Sequence, residues 1–352
     1  MLMLSGCSQY TRDIFWENKI KATPYAEADV MVRPELWREN EISYAWLGHA
    51  TVLIDLYGTK IMTDPVLLAR IGPPETFDNF FGIRRLTQLP MDVDAITDID
   101  LVLVSHPHFD HLDLASLDRL SRQNDFDLIL PVLTTDLLDT DLFDSGVDDT
   151  GAHDRALLSA NAHVFELDWL SRAPQRHNYE DFTVTAFRVE HYGFADWGDR
   201  DVKRGFNGYL LQVKKNSKTI AFFGDTSYSR YRDEWGNILP RPESVNWRNK
   251  FPTDVIAGGI DLCIMPVGDA YYYWNHIGPE KALRLADELN CKHLLPIHYS
   301  TFILTPPEKR PVSTKEQLLE VLKKTGKMEL VRCNDLQGER VFPEPGVSCV
   351  LP

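Results

Sequence analysis

The stretch Leu101–His111, "LVLVSHPHFDH", sets an apolar run directly against three histidines and an aspartate. "LVLVS" (101–105) has the unbroken apolar character of a strand buried on both faces. Pro107 then turns the chain among ligand-type side chains. An extended segment would hold His106 and His108 apart, whereas a loop can aim both at one point, and Asp110 and His111 follow at once. Neutral imidazoles and carboxylates are ordinary protein donors to a zinc-type cation. Four such donors in six residues exceed what one tetrahedral ion takes from a single loop while keeping a position open. The loop therefore reads as shared between two ions.

A two-ion site needs donors from elsewhere, and three candidates share one context. His191 ends "FRVEH", Asp225 ends "IAFFGD" after Gly224, and His298 ends "LLPIH". A lone histidine at a strand end is usually a surface or capped residue. The density of the first loop is what makes these three its partners. The candidate ligand set is then His106, His108, Asp110, His111, His191, Asp225 and His298. A carboxylate can bridge two cations, and Asp225 is the one aspartate among the late candidates.

The chain of 352 residues is 43% hydrophobic and 25% charged, a soluble globular composition long enough for one large domain or two modest ones. Residues 8–40 are mixed and polar and read as an arm over a domain spanning 41–352. "ISYAWL" (42–47), "TVLIDLY" (51–57) and "KIMTD" (60–64) are short strands punctuated by Gly48 and Gly58. "DLASLDRLSRQ" (113–123) carries leucines at helical spacing with Asp113 placed to cap it, and "DLILP" (127–131) is a further strand. Residues 134–160 read as a surface helix and loop, with the acidic residues from Asp136 to Asp149 on a solvated face. The second half repeats the style. Strands at 182–189, 208–214 and 219–224, with a hairpin turn at Asn216-Ser217, precede a loop-rich stretch from Thr226 to about Gly259. Strands at 261–267 and 292–298 then flank a helix at 279–290 with Pro279 near its start. A helix at about 313–325 and a short β tail close the chain. Two such halves predict an α/β fold of two sheets sandwiched between helices.

The formal net charge of -15 makes the chain a poor general binder of phosphate backbones, so no nucleic-acid partner is expected. It does not exclude an acidic substrate, because a metal supplies local positive charge. The five cysteines are scattered, odd in number and without a CxxC, and predict neither a disulfide framework nor a zinc–thiolate site. Cys263, in "DLCIMPV", reads as a small core residue. No stretch is long and apolar enough to span a bilayer. Leu4-Ser5-Gly6-Cys7 resembles the bacterial lipobox, whose cysteine is lipid-modified after cleavage, though the usual basic and apolar regions before it are missing. A genuine lipobox would make this a membrane-anchored lipoprotein, and otherwise a cytoplasmic location is expected.

The pattern H-x-H-x-D-H, with a later histidine, a Gly-Asp-Thr and a late histidine, resembles the metallo-β-lactamase superfamily over residues 41 to about 305. The resemblance implies a four-layer αββα sandwich of two mixed sheets with a dinuclear site at the sheet edges. His106, His108 and His191 would bind one metal, Asp110, His111 and His298 the other, and Asp225 would bridge. Several stretches narrow the likeness: "WLGHATVLID" (46–55), "TDP" (63–65), "SHPHFDHLD" (105–113), "FFGDTSY" (222–228), "MPVGDAYYYWNHIGPEKA" (265–282) and "PIHYSTF" (296–302). Together they resemble N-acylphosphatidylethanolamine-hydrolysing phospholipase D and its bacterial relatives. The segment Ser229–Gly259 is longer and "YYYW" more aromatic than in that family, both where a substrate surface would lie. True β-lactamases carry a cysteine at the second metal and an arginine at the end of the first motif. Here these positions are Asp225 and His111, so β-lactam hydrolysis is not expected. Nuclease relatives bind RNA through basic surfaces or added domains, which the charge of -15 does not favour.

The mechanism so implied is hydrolysis by a hydroxide held between two divalent ions, with Asp110 ligating one ion and orienting the nucleophile. Zinc suits the donors best, and manganese and iron accept the same set. The resemblance places His276 at substrate or leaving group, and His49 near the site. Asp64 would orient a ligand histidine from behind. Tyr271, Tyr272, Tyr273 and Trp274 would line an apolar groove for an acyl chain or make peripheral membrane contact. The leading reading is a phosphodiesterase acting on a phospholipid-like, N-acylphosphatidylethanolamine-type substrate. A lactonase or other small-ester hydrolase of the same fold is the alternative, with Arg188, Lys203 and Arg204 as candidates for a phosphate pocket. A non-catalytic metal-binding scaffold is the third reading.

Overall fold

Side chains alternate across a strand, so a strand apolar at every position must be covered on both faces. The computed structural model shows how this is done. It describes residues 26–38, 40–72, 83–138, 161–174, 179–193, 202–228, 246–268, 276–302, 304, 313–336 and 342–352, together with the backbone of 230–232 and 238–240. Along the chain run β1 (Ile42–Gly48), β2 (Thr51–Leu56), β3 (Thr59–Thr63), β4 (Arg70–Ile71), β5 (Ile83–Arg84), β6 (Leu101–Leu103), α1 (Leu114–Ser121), β7 (Phe126–Pro131) and β8 (Ala162–Leu167). There follow β9 (Phe182–Arg188), β10 (Asn207–Val213), β11 (Thr219–Phe222), β12 (Arg230–Arg232), β13 (Ile238–Pro240), α2 (Thr253–Gly258) and β14 (Leu262–Pro266). Last come α3 (Pro279–Glu288), β15 (His293–Ile297), α4 (Thr314–Thr325), β16 (Asn334–Asp335) and β17 (Ser348–Val350).

Among the described residues the strands form an eight-stranded sheet, β16-β17-β1-β2-β3-β6-β7-β8, and a five-stranded sheet, β15-β14-β11-β10-β9. Both are mixed, and both follow one plan. An antiparallel meander (β1-β2-β3, then β9-β10-β11) leads into parallel strands. Parallel neighbours need a crossover, and α1, α2 and α3 supply it before β7, β14 and β15. The inward residues of the first sheet, among them Tyr44, Trp46, Val52, Ile54, Ile61, Leu101 and Leu103, share one core with Val184, Ala186, Leu211 and Phe222 of the second. Leu283 and Leu285 of α3 and Leu318 and Leu322 of α4 join that core. The alternate residues Ala45, Leu47, Leu53, Met62, Val102 and Val104 meet Leu114, Leu117 and Leu120 of α1 on the outer side. The result is the expected α/β sandwich, helix, sheet, sheet and helix. No helix of the described residues is long and apolar enough to cross a membrane.

The turn at Asn216-Ser217 forms as expected, with Ser217 in the left-handed region at φ 59°. The strand β8 went unanticipated, and the loop-rich stretch after Thr226 holds a short hairpin, β12–β13, and α2. Of the surface helix expected within 134–160, a short 3-10 turn at Thr135–Leu138 is described and 139–160 lie outside the described residues.

The cysteine reading is overturned. Cys263 of β14 is bonded to Cys291, and Cys333 to Cys349 of β17. These partners are 28 and 16 residues apart, and register between neighbouring strands brings them together, which sequence spacing does not reveal. Closing loops of this length is worth about 3 kcal/mol each in the chain-entropy account. Replacing Cys333 and Cys349 with serine is expected to lower the unfolding free energy by about that amount in urea titration. An unchanged midpoint would show that this bond contributes nothing.

Candidate metal centre

The parallel strands of both sheets end at one edge, and the site is built there. Past β6, the main-chain N–H and the hydroxyl of Ser105 donate to the two oxygens of Asp64, each at 2.6 Å. With its proton given to Asp64, the Ser105 oxygen accepts from His106 Nδ1 at 2.9 Å, leaving the lone pair of His106 on Nε2. His111 Nδ1 likewise donates to Asp64 Oδ2 at 2.6 Å, and His298 Nδ1 to the Gly268 carbonyl at 3.2 Å. Each ring is thereby fixed in one tautomer with Nε2 turned inward, the usual arrangement behind a metal-binding histidine.

The inward atoms converge in two overlapping groups. His106 Nε2 and His191 Nε2 lie 2.8 and 3.3 Å from His108 Nδ1. Asp110 Oδ2 lies 3.6 Å from His298 Nε2 and 3.8 Å from His111 Nε2. Asp225 stands between the groups. Its Oδ2 is 3.4 Å from His111 Nε2, 3.9 Å from His191 Nε2 and 3.3 Å from His276 Nδ1, while its Oδ1 is 3.2 Å from His298 Nε2. An ion with bonds of about 2.0–2.1 Å in tetrahedral geometry keeps its donors about 3.3 Å apart, so these spacings fit metal coordination.

Hydrogen bonding gives a second fit test. His111 Nε2, His298 Nε2, His276 Nδ1 and both oxygens of Asp225 are buried without a hydrogen-bond partner. Stranding even one such group costs about 1–3 kcal/mol, and here five face one another. A cluster of orphaned nitrogen and oxygen donors is what divalent cations satisfy.

The electrostatics agree. Burial pushes the imidazoles of His106 and His191 well down, and those of His108 and His276 down to about 4, so all four are neutral donors at neutral pH. Burial acts in the same direction on His111 and His298, but the Asp225 and Asp110 carboxylates override it. They raise His111 well above its usual range and His298 to about 9. Burial opposes ionisation of Asp110 and Asp225 too, yet the surrounding imidazoles hold both well below the usual carboxylate range. Two buried carboxylates demand positive charge at this point.

A sequence model described as the Beta-lactamase superfamily domain matches residues 59–245, more than half of the chain. The chain belongs to the beta-lactamase superfamily. It is a metal-dependent hydrolase of that superfamily. It is 26% identical over 287 residues to N-acyl-phosphatidylethanolamine-hydrolyzing phospholipase D 1 of Caenorhabditis elegans, covering 80% of this chain and 68% of the other. It is 24% identical over 271 residues to a UPF0173 metal-dependent hydrolase of an Exiguobacterium species, covering 76% and 89%. The fold matches the crystal structure of a "possible metal-dependent hydrolase" of Veillonella parvula with a TM-score of 0.58 at 15% identity, covering 88% of this chain and 99% of that one.

Within this superfamily fold, the seven candidate ligands named from sequence are brought together with His276. Both residues expected behind them lie there as well, Asp64 on His111 and His49 on Asp110. Tyr271, Tyr272, Tyr273 and Trp274 lie outside the described residues. Arg204 is buried with its guanidinium on Asp136 and the Leu133 carbonyl, and Arg188 lies over the Trp169 ring, partners outside the histidine cluster. Sequence reasoning missed Ser105 and Tyr192, whose ring packs 4.7 Å from those of both His108 and His191. Adjacency to His106 and His191 was the available signal for both. It also missed Thr301, whose oxygen holds the His49 N–H across 252 residues of sequence, a contact with no local signature.

Gly224 is the point where the two sheets' site-bearing loops touch. It has φ 53°, and a Cβ there would lie 2.3 Å from the Ser105 Cβ. Gly224→Ala is expected to push the Asp225 and His106 loops apart, with a loss of about 2–4 kcal/mol in stability and a fall in bound metal. Urea titration and elemental analysis measure the two effects. Wild-type metal content in the variant would show that the loop contact does not set the site.

Proposed function

We propose that this superfamily member is a dinuclear phosphodiesterase acting on a phospholipid-like substrate of the N-acylphosphatidylethanolamine type. The observation that carries the reading is Asp225, a buried carboxylate with both oxygens unpaired between two groups of imidazoles. His106, His108 and His191 would hold one ion, and Asp110, His111 and His298 the other, with Asp225 between them; zinc fits this nitrogen-rich set best. Bound there, two divalent cations would supply Lewis-acid polarisation of a phosphoryl group and a water of near-neutral pKa.

The chain's own groups divide the remaining work. The side chains of His111, His191, His298 and Asp225 are 0% exposed, whereas those of Asp110 and His276 keep 12% and 17%. With the part-buried His108, these two form the reachable rim. Asp110 is ionised and can orient the attacking water. His276 is neutral at pH 7 and lies beside Asp225, where it can contact the phosphoryl or leaving oxygen. A phosphodiester needs no serine or cysteine nucleophile under this scheme.

The relative named for N-acylphosphatidylethanolamine hydrolysis supports the substrate class, as do the motifs shared with that family. Arg188 and Arg204, two of the three basic candidates for a sugar-phosphate pocket beside Lys203, have partners outside the histidine cluster. The test is hydrolysis of a panel of N-acylphosphatidylethanolamine, simple phosphodiesters, lactones and thioesters by metal-loaded protein. Phosphodiesters are expected to lead, and His108→Ala to lose at least ~100-fold in kcat/KM. Turnover retained in that variant would sink the dinuclear reading. Preference for lactones would sink the substrate assignment alone, and no turnover of any substrate would favour a metal-binding scaffold.

A further inference from the structure

We propose that His49 is a positioning residue that anchors one oxygen of Asp110 and so fixes the direction in which the other faces. The inference rests on the metal-centre reading above. His49 lies between β1 and β2, is 2% exposed, and places its Nε2 at 3.1 Å from Asp110 Oδ2. An ionised carboxylate only accepts, so the hydrogen of this contact sits on Nε2. That nitrogen then has no lone pair for a cation. His49 therefore orients a donor and is not one itself, although it stands within ligand distance of Asp110, His111 and His298. Oδ2 has a second lone pair, which faces His298 Nε2 and His111 Nε2. Among the described residues no hydrogen bond reaches Asp110 Oδ1.

His49 also fixes the opposite donor. Its carbonyl accepts the His298 N–H at 2.8 Å, and its ring packs 4.1 Å from the His298 ring. The residue is itself held in place. Its N–H donates to Thr301 Oγ1 at 2.6 Å, its carbonyl also accepts Trp46 Nε1 at 2.9 Å, and its φ is 51°. A non-glycine residue stays in that left-handed region only where its surroundings enforce it.

The experiment compares His49→Leu with His49→Gln, whose amide N–H can still reach Asp110. Metal content, the visible spectrum of the cobalt-loaded protein, thermal unfolding, kcat and KM are read in each. His49→Leu is expected to weaken the second ion by about 10–100-fold, to shift the cobalt spectrum and to lower kcat more than KM. His49→Gln is expected to recover metal affinity to within a few-fold. A folded His49→Leu with wild-type spectrum and two ions would overturn the proposal. So would equal loss in both folded variants, which would make the imidazole itself a ligand. Should the leucine variant not fold, loss of the second ion from a folded His49→Gln overturns it. A wild-type protein that takes up no cobalt would sink the metal-centre reading beneath it.

The cysteines carry a second, independent inference: the structure assigns the folded chain to an oxidising compartment. Both pairs have Cα–Cα separations, 6.0 and 5.3 Å, normal for disulfides. Cys263 is 0% exposed on β14, and Cys333 and Cys349 are 2% and 1% exposed, so these bonds lie within the packed core. Reducing cytosols keep such thiols open. Four of the five cysteines are consumed, and the fifth is Cys7 of the lipobox-like Leu4–Cys7. Export and anchoring at Cys7 would deliver the chain to the side of a membrane where both bonds can form. The full chain is produced in a bacterial periplasm and in a cytoplasm, then denatured and alkylated without reductant. Periplasmic protein is expected to carry no label on the four paired cysteines. Cytoplasmic protein is expected to carry all four and to melt at lower temperature. Labelling of all four in periplasmic protein would overturn the inference, as would equal melting temperatures of oxidised and reduced material.

Discussion

A carboxylate with no hydrogen bonds, sealed under two sheets, would normally take up a proton. Asp225 does the opposite because four imidazoles reach it, His191 and His276 as neutral rings and His111 and His298 as rings that the neighbouring carboxylates keep charged. Removing a carboxylate from water costs several kcal/mol, and neighbouring positive charge is what offsets it. The rest of the architecture follows from keeping those neighbours fixed. The loop after β6 contributes four side chains, β9, β11 and β15 lead into one each, and the rings of His106, His111 and His298 are locked through their far nitrogens. Little tolerance remains: at Gly224 even a methyl group would collide with Ser105.

That constraint explains why the site was legible in sequence to the extent it was. A strand buried on both faces leaves a long apolar word, and a ligand at its end leaves one polar letter after it. "LVLVS", "IAFFG" and "LLPI" are such words, so His106, Asp225 and His298 could be placed at strand ends without any coordinates. The alternation behind the sandwich was equally readable, with Tyr44 and Trp46 of β1 turned to one core and Ala45 and Leu47 to the other.

What could not be read depends on which strands become neighbours. β11 pairs in parallel with β14 across the hairpin and α2, and β14 with β15 across α3. Those crossovers bring Cys263 to Cys291 and set Gly268 against His298, and neither contact leaves a spacing rule in the sequence. The same holds for Arg85, a buried arginine whose guanidinium is spent on the Val66 and Leu47 carbonyls beneath the site. By sequence it is one basic residue in a loop. Register and long-range packing, rather than local propensity, create these interactions, so a one-dimensional reading passes over them.

The overall charge gives one more constraint on how such a site meets its substrate. A chain of net charge -15 repels an anionic phosphodiester at long range, yet at physiological salt that field fades over about 8 Å. Inside that distance the local balance decides. In the proposed centre, two divalent cations against the two carboxylates Asp110 and Asp225 would leave a net positive charge, with each coordinating imidazole neutral. Such an arrangement selects at contact and gives no help to capture from solution. It suits a substrate presented at high local concentration, as a lipid in a membrane is, better than a dilute soluble anion. If the Leu4–Cys7 motif anchors the chain as a lipoprotein, enzyme and lipid would share one surface. The unfavourable long-range field would then matter little, because diffusion in two dimensions would replace electrostatic steering.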